Sequence, residues 1–268
     1  MKPLAYLKLW RDWLRASQAV KRLLLETAPL PGAERWKREY TNSFLLKLKN
    51  FPLERGAKCI VDIGANVGLF SRAAELYCPK ATVIAAEPSS GPFAELSKVG
   101  GARISAVQSA VGAVAGKATL FIAEHLASST LRPPGEYAQQ VYGSMAQPTG
   151  ATEEVPVVTL AELLESHHVQ KVDLLKVDVE GFEQQVLDGA GEWLGPRIER
   201  IIIEVSVGRH TLEGGLDLMR TLARRDYVLT NILDVSRSTR SREGLVGHFD
   251  AWFVHRSLLA EPSAGTAG

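Results

Sequence analysis

VDIGANVGLF, residues 61–70, places an aspartate at the end of an apolar run and follows it with two glycines four residues apart. Cys59, Ile60, Val61 and Ile63 form a short, mostly β-branched segment of the kind buried on both faces of a sheet. Gly64 and Gly68 suit a turn with unusual backbone angles or a close backbone approach to a ligand. From Leu69 the pattern turns helical, with Phe70, Ala73, Ala74 and Tyr77 available to one face. Strand, glycine turn and helix together make the ligand-binding corner of a doubly wound α/β sheet. A dinucleotide at that corner requires G-x-G-x-x-G, so that backbone amides and the helix N-terminus cradle a pyrophosphate. Here the spacing is G-A-N-V-G, and Asp62 stands directly before it. An acid there repels a diphosphate and suits an ammonium group or its waters. The expected ligand carries positive charge and no phosphates.

The next apolar run, Ala81 to Ala86, ends in Glu87-Pro88, 25 residues beyond Asp62. An acid at the tip of the second strand of such a unit typically holds two ribose hydroxyls. A ribose joined to a cationic, phosphate-free group describes S-adenosylmethionine. D-I-G-A-N-V-G (62–68), A-E-P (86–88), A-V-G (110–112) and K-V-D-V-E-G-F-E (176–183) resemble the FkbM-type methyltransferase family, over roughly residues 55–205. The resemblance implies a Rossmann-like class I methyltransferase fold: a mostly parallel seven-stranded sheet, helices on both faces and a final antiparallel strand. It implies S-adenosyl-L-methionine as cofactor, with Asp62, Gly64, Asn66, Gly68, Glu87, Ser109 and Asp178 at its binding site. It also implies O-methylation of a hydroxyl on a sugar, a glycan or glycolipid, or a natural product.

With 268 residues, 46% of them apolar and 23% charged, the chain has the composition of one globular α/β domain with decorations. A net charge of +1 gives no case for nucleic acid. Cys59 and Cys78 lack metal-ligand spacing and read as buried free thiols in a reducing compartment. No apolar run reaches membrane-spanning length, and Lys8, Arg11, Asp12 and Arg15 interrupt any signal-peptide core, so the expected location is cytoplasmic. Residues 1–50 read as a helical N-terminal extension, 51–258 as the methyltransferase domain and 259–268 as a disordered tail. Within the extension, 4–26 is an amphipathic helix, and the six basic and two acidic residues and two tryptophans of 1–26 leave peripheral membrane contact open. A second helix is expected at 33–49. Strands are expected near 59–63, 82–87, 104–107, 117–123, 155–158, 172–179, 199–205, 227–233 and 249–256, with a long loop over 124–153.

Strand alternation puts Lys176, Asp178 and Glu180 on one side, with the two acids at the carboxyl end where open α/β sheets bind ligands. These acids are suited to holding the cofactor, accepting a hydroxyl's proton, or binding magnesium. The metal-free version is favoured because the carboxylates have an adequate role without one. Glu204 ends the run Ile201-Ile202-Ile203 and needs a partner, for which Lys176 on the neighbouring strand is the natural choice. His210 and His125 are loop candidates for a general base; His167, His168, His248 and His255 show no constellation. The candidate catalytic set is Asp178, Glu180, Glu204 and His210. Arg237, Arg240 and Arg242 crowd one loop and suit an anionic acceptor. Two competing readings use the same corner, an NAD-dependent oxidoreductase and a non-catalytic cofactor-binding module at a membrane surface.

Overall fold

The computed structural model describes residues 35–50, 53, 56–99, 101–123, 129–131, 148–208, 211–237 and 246–259. The stretch at 4–26, most of the 124–153 loop with His125, His210, Arg240, Arg242 and the tail from 260 lie outside the described residues.

In chain order, α1 (Arg35–Asn50) precedes β1 (Cys59–Ile63), α2 (Leu69–Tyr77), β2 (Thr82–Ala86), α3 (Ser90–Leu96) and β3 (Ile104–Val107). Then come β4 (Ala110–Gly112), β5 (Gly116–Ala123), β6 (Pro148–Thr159), α4 (Leu160–Ser166), β7 (Leu174–Val177) and α5 (Glu183–Asp188). The order closes with β8 (Arg200–Ser206), α6 (Leu212–Arg224), β9 (Tyr227–Arg237) and β10 (Val246–His255). Seven strands form one sheet in the order β3-β2-β1-β7-β8-β10-β9. β3, β2, β1, β7 and β8 are parallel, and β10 enters antiparallel between β8 and β9. This is the mostly parallel Rossmann-like sheet that the sequence implied.

Period-two alternation sorts the strand residues onto two faces. On one face Ile60, Val83, Leu174, Ile202 and Trp252 pack with Leu45 and Leu48 of α1 and Phe70, Ala73 and Ala74 of α2. On the other, Val61, Ile84, Leu175, Ile203 and Phe253 pack with Leu160 and Leu164 of α4, Val186 of α5 and Leu218 and Leu222 of α6. Helices therefore cover both faces, and the strands are apolar throughout because neither face meets water. Of the 1–50 extension, α1 is the described part, and it packs into the core. Leu45 and Leu48 are nearly fully buried, each contributing about 1.5–3 kcal/mol of transfer free energy.

The sequence expectation fails in two places, the first around the expected 124–153 loop, whose residues 148–153 belong to β6. β4, β6 and β5 form a separate three-stranded sheet, with β4 parallel and β5 antiparallel to a long β6. The three residues of β4 are too few to show a period. The other difference is that the strand expected at 172–179 ends at Val177. Asp178 still donates its amide to Ile63 O at 3.1 Å. Glu180 and Gly181 then take positive φ values of 54° and 96°, so the alternation that grouped Glu180 with Lys176 does not extend that far.

Candidate active site

The carboxyl ends of β1, β2 and β7 open onto a cavity of about 670 Å³. It sits where strand order reverses on either side of β1, the position at which open α/β sheets bind their ligands. One wall is the turn 64–67 between β1 and α2. Glu87, Pro88 and Ser109 to Val111 continue it, and Leu120, Ser129 and Leu131 add the three-stranded sheet's side. Lys176, Asp178, Val179, Glu180 and Phe182 follow β7, and Tyr40, Phe44 and Phe70 enter from α1 and α2.

The glycine turn is held by the protein's own groups. Gly64, Asn66 and Gly68 have φ values of 77°, 50° and 82°. The amides of Gly64 and Ala65 both donate to Ala86 O at 3.0 Å, and that of Gly68 donates to Ala65 O at 2.9 Å. The Asn66 amide donates to Glu87 Oε2 at 2.9 Å, and the Val67 amide to Asn66 Oδ1 at 2.7 Å. All five amides of residues 64–68 are thus engaged. Glu87 Oε1 accepts from the Ser89 amide at 2.9 Å, so this single carboxylate pins the ends of both turns. Burial pushes the Glu87 carboxyl up, against the pull of those two amides.

The tight fit of the glycines has causes inside the protein. A Cβ on Gly64 would lie 1.8 Å from Asp178 O, so the crowding partner is the backbone after β7. One on Gly68 would lie 2.8 Å from Leu96 Cδ1 in α3.

Asp62 lies beneath the cavity, fully buried, and does not form part of its wall. Ser71 Oγ donates to its Oδ2 at 2.6 Å, and its Oδ1 lies 3.4 Å from Lys176 Nζ without a hydrogen bond. The ammonium that meets Asp62 is the protein's own. Lys176 Nζ also lies 3.3 Å from Asp178 Oδ2, donates to Gly64 O at 3.2 Å and stands 5.8 Å from the Phe70 ring centroid. Burial pulls its pKa down, but Asp178 and Asp62 outweigh burial and hold Lys176 above the ordinary lysine range.

The expected Lys176–Glu204 pair does not form. In the β7–β8 register Lys176 stands opposite Ile202, which leaves Glu204 two residues farther along. Glu204 instead faces Asp250 across the β8–β10 ladder. It accepts from Ser206 Oγ at 3.5 Å and has His248 Nε2 at 4.0 Å. Burial first, then Asp178, Glu180, Glu183 and Asp250, push its carboxyl up to about 10. Asp250 is raised by burial and partly relieved by Lys47 of α1, which pairs with it at 3.4 Å and also meets Asp234.

Of the expected site residues, the cavity brings together Gly64, Asn66, Glu87, Ser109, Asp178 and Glu180; Gly68, Asp62 and Glu204 do not line it. Ser109 Oγ hydrogen-bonds to Ala110 O at 2.8 Å and Pro156 O at 3.1 Å, tying β4 to β6. Among the described residues no group of three or more His, Cys, Asp or Glu side chains is placed to hold a metal ion.

The sequence reading missed four contributors. Tyr40 and Phe44 are an i, i+4 pair on α1, a spacing that was legible once α1 was read as a helix. Glu183 folds back so that Oε1 accepts the amides of Val179 and Gly181, closing the 178–183 turn. His248 comes to Glu204 through the antiparallel register of β10, which no local pattern reveals.

The model of the methyltransferase FkbM domain matches residues 62–229. The chain belongs to the FkbM methyltransferase family. The 31-O-demethyl-FK506 methyltransferase FkbM of Streptomyces tacrolimicus is 34% identical over 194 residues, covering 63% of this chain and 72% of that protein. Methyltransferase sdnD of Sordaria araneosa is 30% identical over 172 residues, which is 54% of this chain and 65% of that one. Methyltransferase 1 of Beauveria bassiana is 31% identical over 160 residues, 54% of this chain and 64% of its own length. The FkbM match runs from the end of β1 into β9. Tyr40 and Phe44 fall outside it, so α1 adds side chains to the cavity wall beyond the family's matched span; His248 and Asp250, the neighbours of Glu204, fall outside it too.

Proposed function

We propose that the protein is an S-adenosylmethionine-dependent O-methyltransferase. The observation that carries this reading is the engagement of every amide from Gly64 to Gly68 by Ala86 O, Glu87, Asn66 Oδ1 or Ala65 O. A dinucleotide's pyrophosphate needs such amides free. Here a phosphate would meet filled amides and the Glu87 carboxylate. A ribose has no such conflict, since the outer lone pairs of the Glu87 oxygens remain available to two hydroxyls. The cavity fits a phosphate-free nucleoside better than NAD.

When bound, S-adenosylmethionine supplies an activated methyl group that an oxygen lone pair takes as the carbon–sulfur bond breaks. The protein's task is then mostly alignment. Glu87 and Asn66 hold the ribose end, and Ala110, Val111, Leu120 and Leu131 supply an apolar wall. Asp178 and Glu180 line the cavity after β7, and in this reading one of them accepts the hydroxyl's proton. Magnesium is not required in this scheme, because Glu87 on the ribose and Asp178 and Glu180 beside the reacting groups have adequate roles without it. The acceptor we favour is a hydroxyl of a natural product or sugar; the words 31-O-demethyl-FK506 in the name of the Streptomyces relative support an oxygen acceptor. An anionic acceptor would draw on Arg237, at the end of β9, and on Arg240 and Arg242, which like residues 4–26 lie outside the described residues. No helix among the described residues is long and apolar enough to cross a membrane.

The test is transfer of label from S-adenosyl-[methyl-³H]methionine to a small-molecule extract of the source cells. The labelled product is then identified by mass and by the methyl chemical shift. An O-methyl product is expected. An N-methyl or C-methyl product would overturn the O-methyl assignment.

A further inference from the structure

We infer that Lys176 and Asp178 form the receptor for a zwitterionic amino-acid group, with the Lys176 ammonium taking its carboxylate and Asp178 its ammonium. The inference rests on the cofactor reading above and names the part of the cavity that reads its amino-acid end.

The charge of the cavity lining supports it first. A carboxylate entering the cavity needs donors, and the amides of residues 64–68 are all engaged. Among the described residues lining the cavity, Lys176 is the one cationic side chain. Geometry supports it next. Lys176 is 8% exposed, yet its contacts are 3.2 Å to Gly64 O, 3.3 Å to Asp178 Oδ2 and 3.4 Å to Asp62 Oδ1. A saturated charge-assisted bond between an ammonium and a carboxylate runs nearer about 2.7–2.9 Å. Asp62 Oδ1 has no hydrogen bond at all. Gly64 O and Asp178 engage two of the three ammonium N–H groups, which leaves the third for a ligand carboxylate. Asp178, with a side chain 41% exposed, presents the opposite charge beside it. Two opposite charges 3.3 Å apart on one wall match the two charges of an α-amino acid laid head to tail against them.

Buried Asp62 completes the device. Its charge, shared with Asp178, keeps Lys176 protonated and in place, so Asp62 acts as a positioning residue and does not touch the ligand. With Asp178 given to the ligand's ammonium, Glu180 is left as the wall carboxylate for the acceptor's proton.

Binding measurements test this without an acceptor. S-adenosylmethionine and its decarboxylated analogue, which keeps the sulfonium and amine but lacks the carboxylate, are titrated calorimetrically into wild type. The same titrations use Lys176→Met combined with Asp62→Asn, which removes the buried acid along with its partner so that no unpaired charge is left inside. Wild type should prefer the carboxylate-bearing ligand about ten- to a hundredfold, the range of one charge-assisted bond. The double variant should bind the two ligands within about twofold of each other. The ratio within one protein is insensitive to how much of it is folded. Lys176→Arg should recover part of the preference, as a merely structural lysine would not require. An equal preference in wild type and variant overturns the inference while leaving the cofactor reading intact. Absence of S-adenosylmethionine binding to wild type defeats the cofactor reading itself.

Discussion

Gly64→Ala is the sharpest probe of how the corner is built. The added Cβ would start 1.8 Å from Asp178 O, where real Cβ contacts do not fall below 3.0 Å, so the turn after β7 must retreat by about 1.2 Å. That carbonyl belongs to a turn fixed by the Asp178 amide on Ile63 O and by Glu183 on Val179 and Gly181, which leaves it little room. The φ of 77° adds a left-handed penalty of about 1–2 kcal/mol for alanine. Overpacking of this kind costs about 1–3 kcal/mol more. The sum, about 2–5 kcal/mol, lowers the melting temperature by about 5–15 °C for a domain of this size. Thermal unfolding followed by circular dichroism measures it. A ligand-contact role for Gly64 predicts the reverse, a normal melting temperature with S-adenosylhomocysteine affinity lost. That outcome would refute the packing argument.

Glu87→Ala removes the acceptor of two backbone amides as well as the proposed ribose contact, each charge-assisted bond being worth about 1.5–3 kcal/mol. Both the melting temperature and the S-adenosylhomocysteine affinity should fall, the latter at least about tenfold; an unchanged dissociation constant sinks the ribose assignment. For Glu204 the sign follows from its raised pKa: the native state keeps a proton that the unfolded chain releases from about pH 4.5 upward. The stability it contributes is complete below that pH and is lost as pH climbs toward about 10. Glu204→Gln cannot ionise, so between pH 5 and pH 8 it should gain about 1–4 kcal/mol on wild type; a pH-independent difference in melting temperature contradicts the shift. Methyl transfer to the labelled acceptor should survive exhaustive EDTA treatment, whereas loss with EDTA and recovery with Mg²⁺ would return the acids at 178 and 180 to metal binding.

The sheet was legible because its cause is local. Ile60-Val61, Leu174-Leu175 and Ile201-Ile202-Ile203 are continuous apolar runs that make sense only between two helical layers. The glycine turn and Glu87 were equally legible, since positive φ and a strand-tip acid leave a mark in one short stretch. Partnerships across strands were not. Lys176 meets Asp62 in place of Glu204 because of the parallel register, which is set by packing along the whole sheet. His248 and Asp250 reach Glu204 through the insertion of β10 between β8 and β9, a topological fact absent from any local pattern. The contribution of α1 was hidden differently. Tyr40 and Phe44 look like ordinary helix residues until Leu45, Leu48 and the Phe44–Phe70 edge contact dock that helix beside the cavity.

The central claim is that this corner takes a phosphate-free nucleoside because its amides are already filled. Calorimetric titration of the purified wild-type chain with S-adenosylhomocysteine and, separately, with NAD tests it most directly. Saturable one-to-one binding of S-adenosylhomocysteine with no heat from NAD is the predicted result. Tight binding of NAD with none of S-adenosylhomocysteine would contradict it.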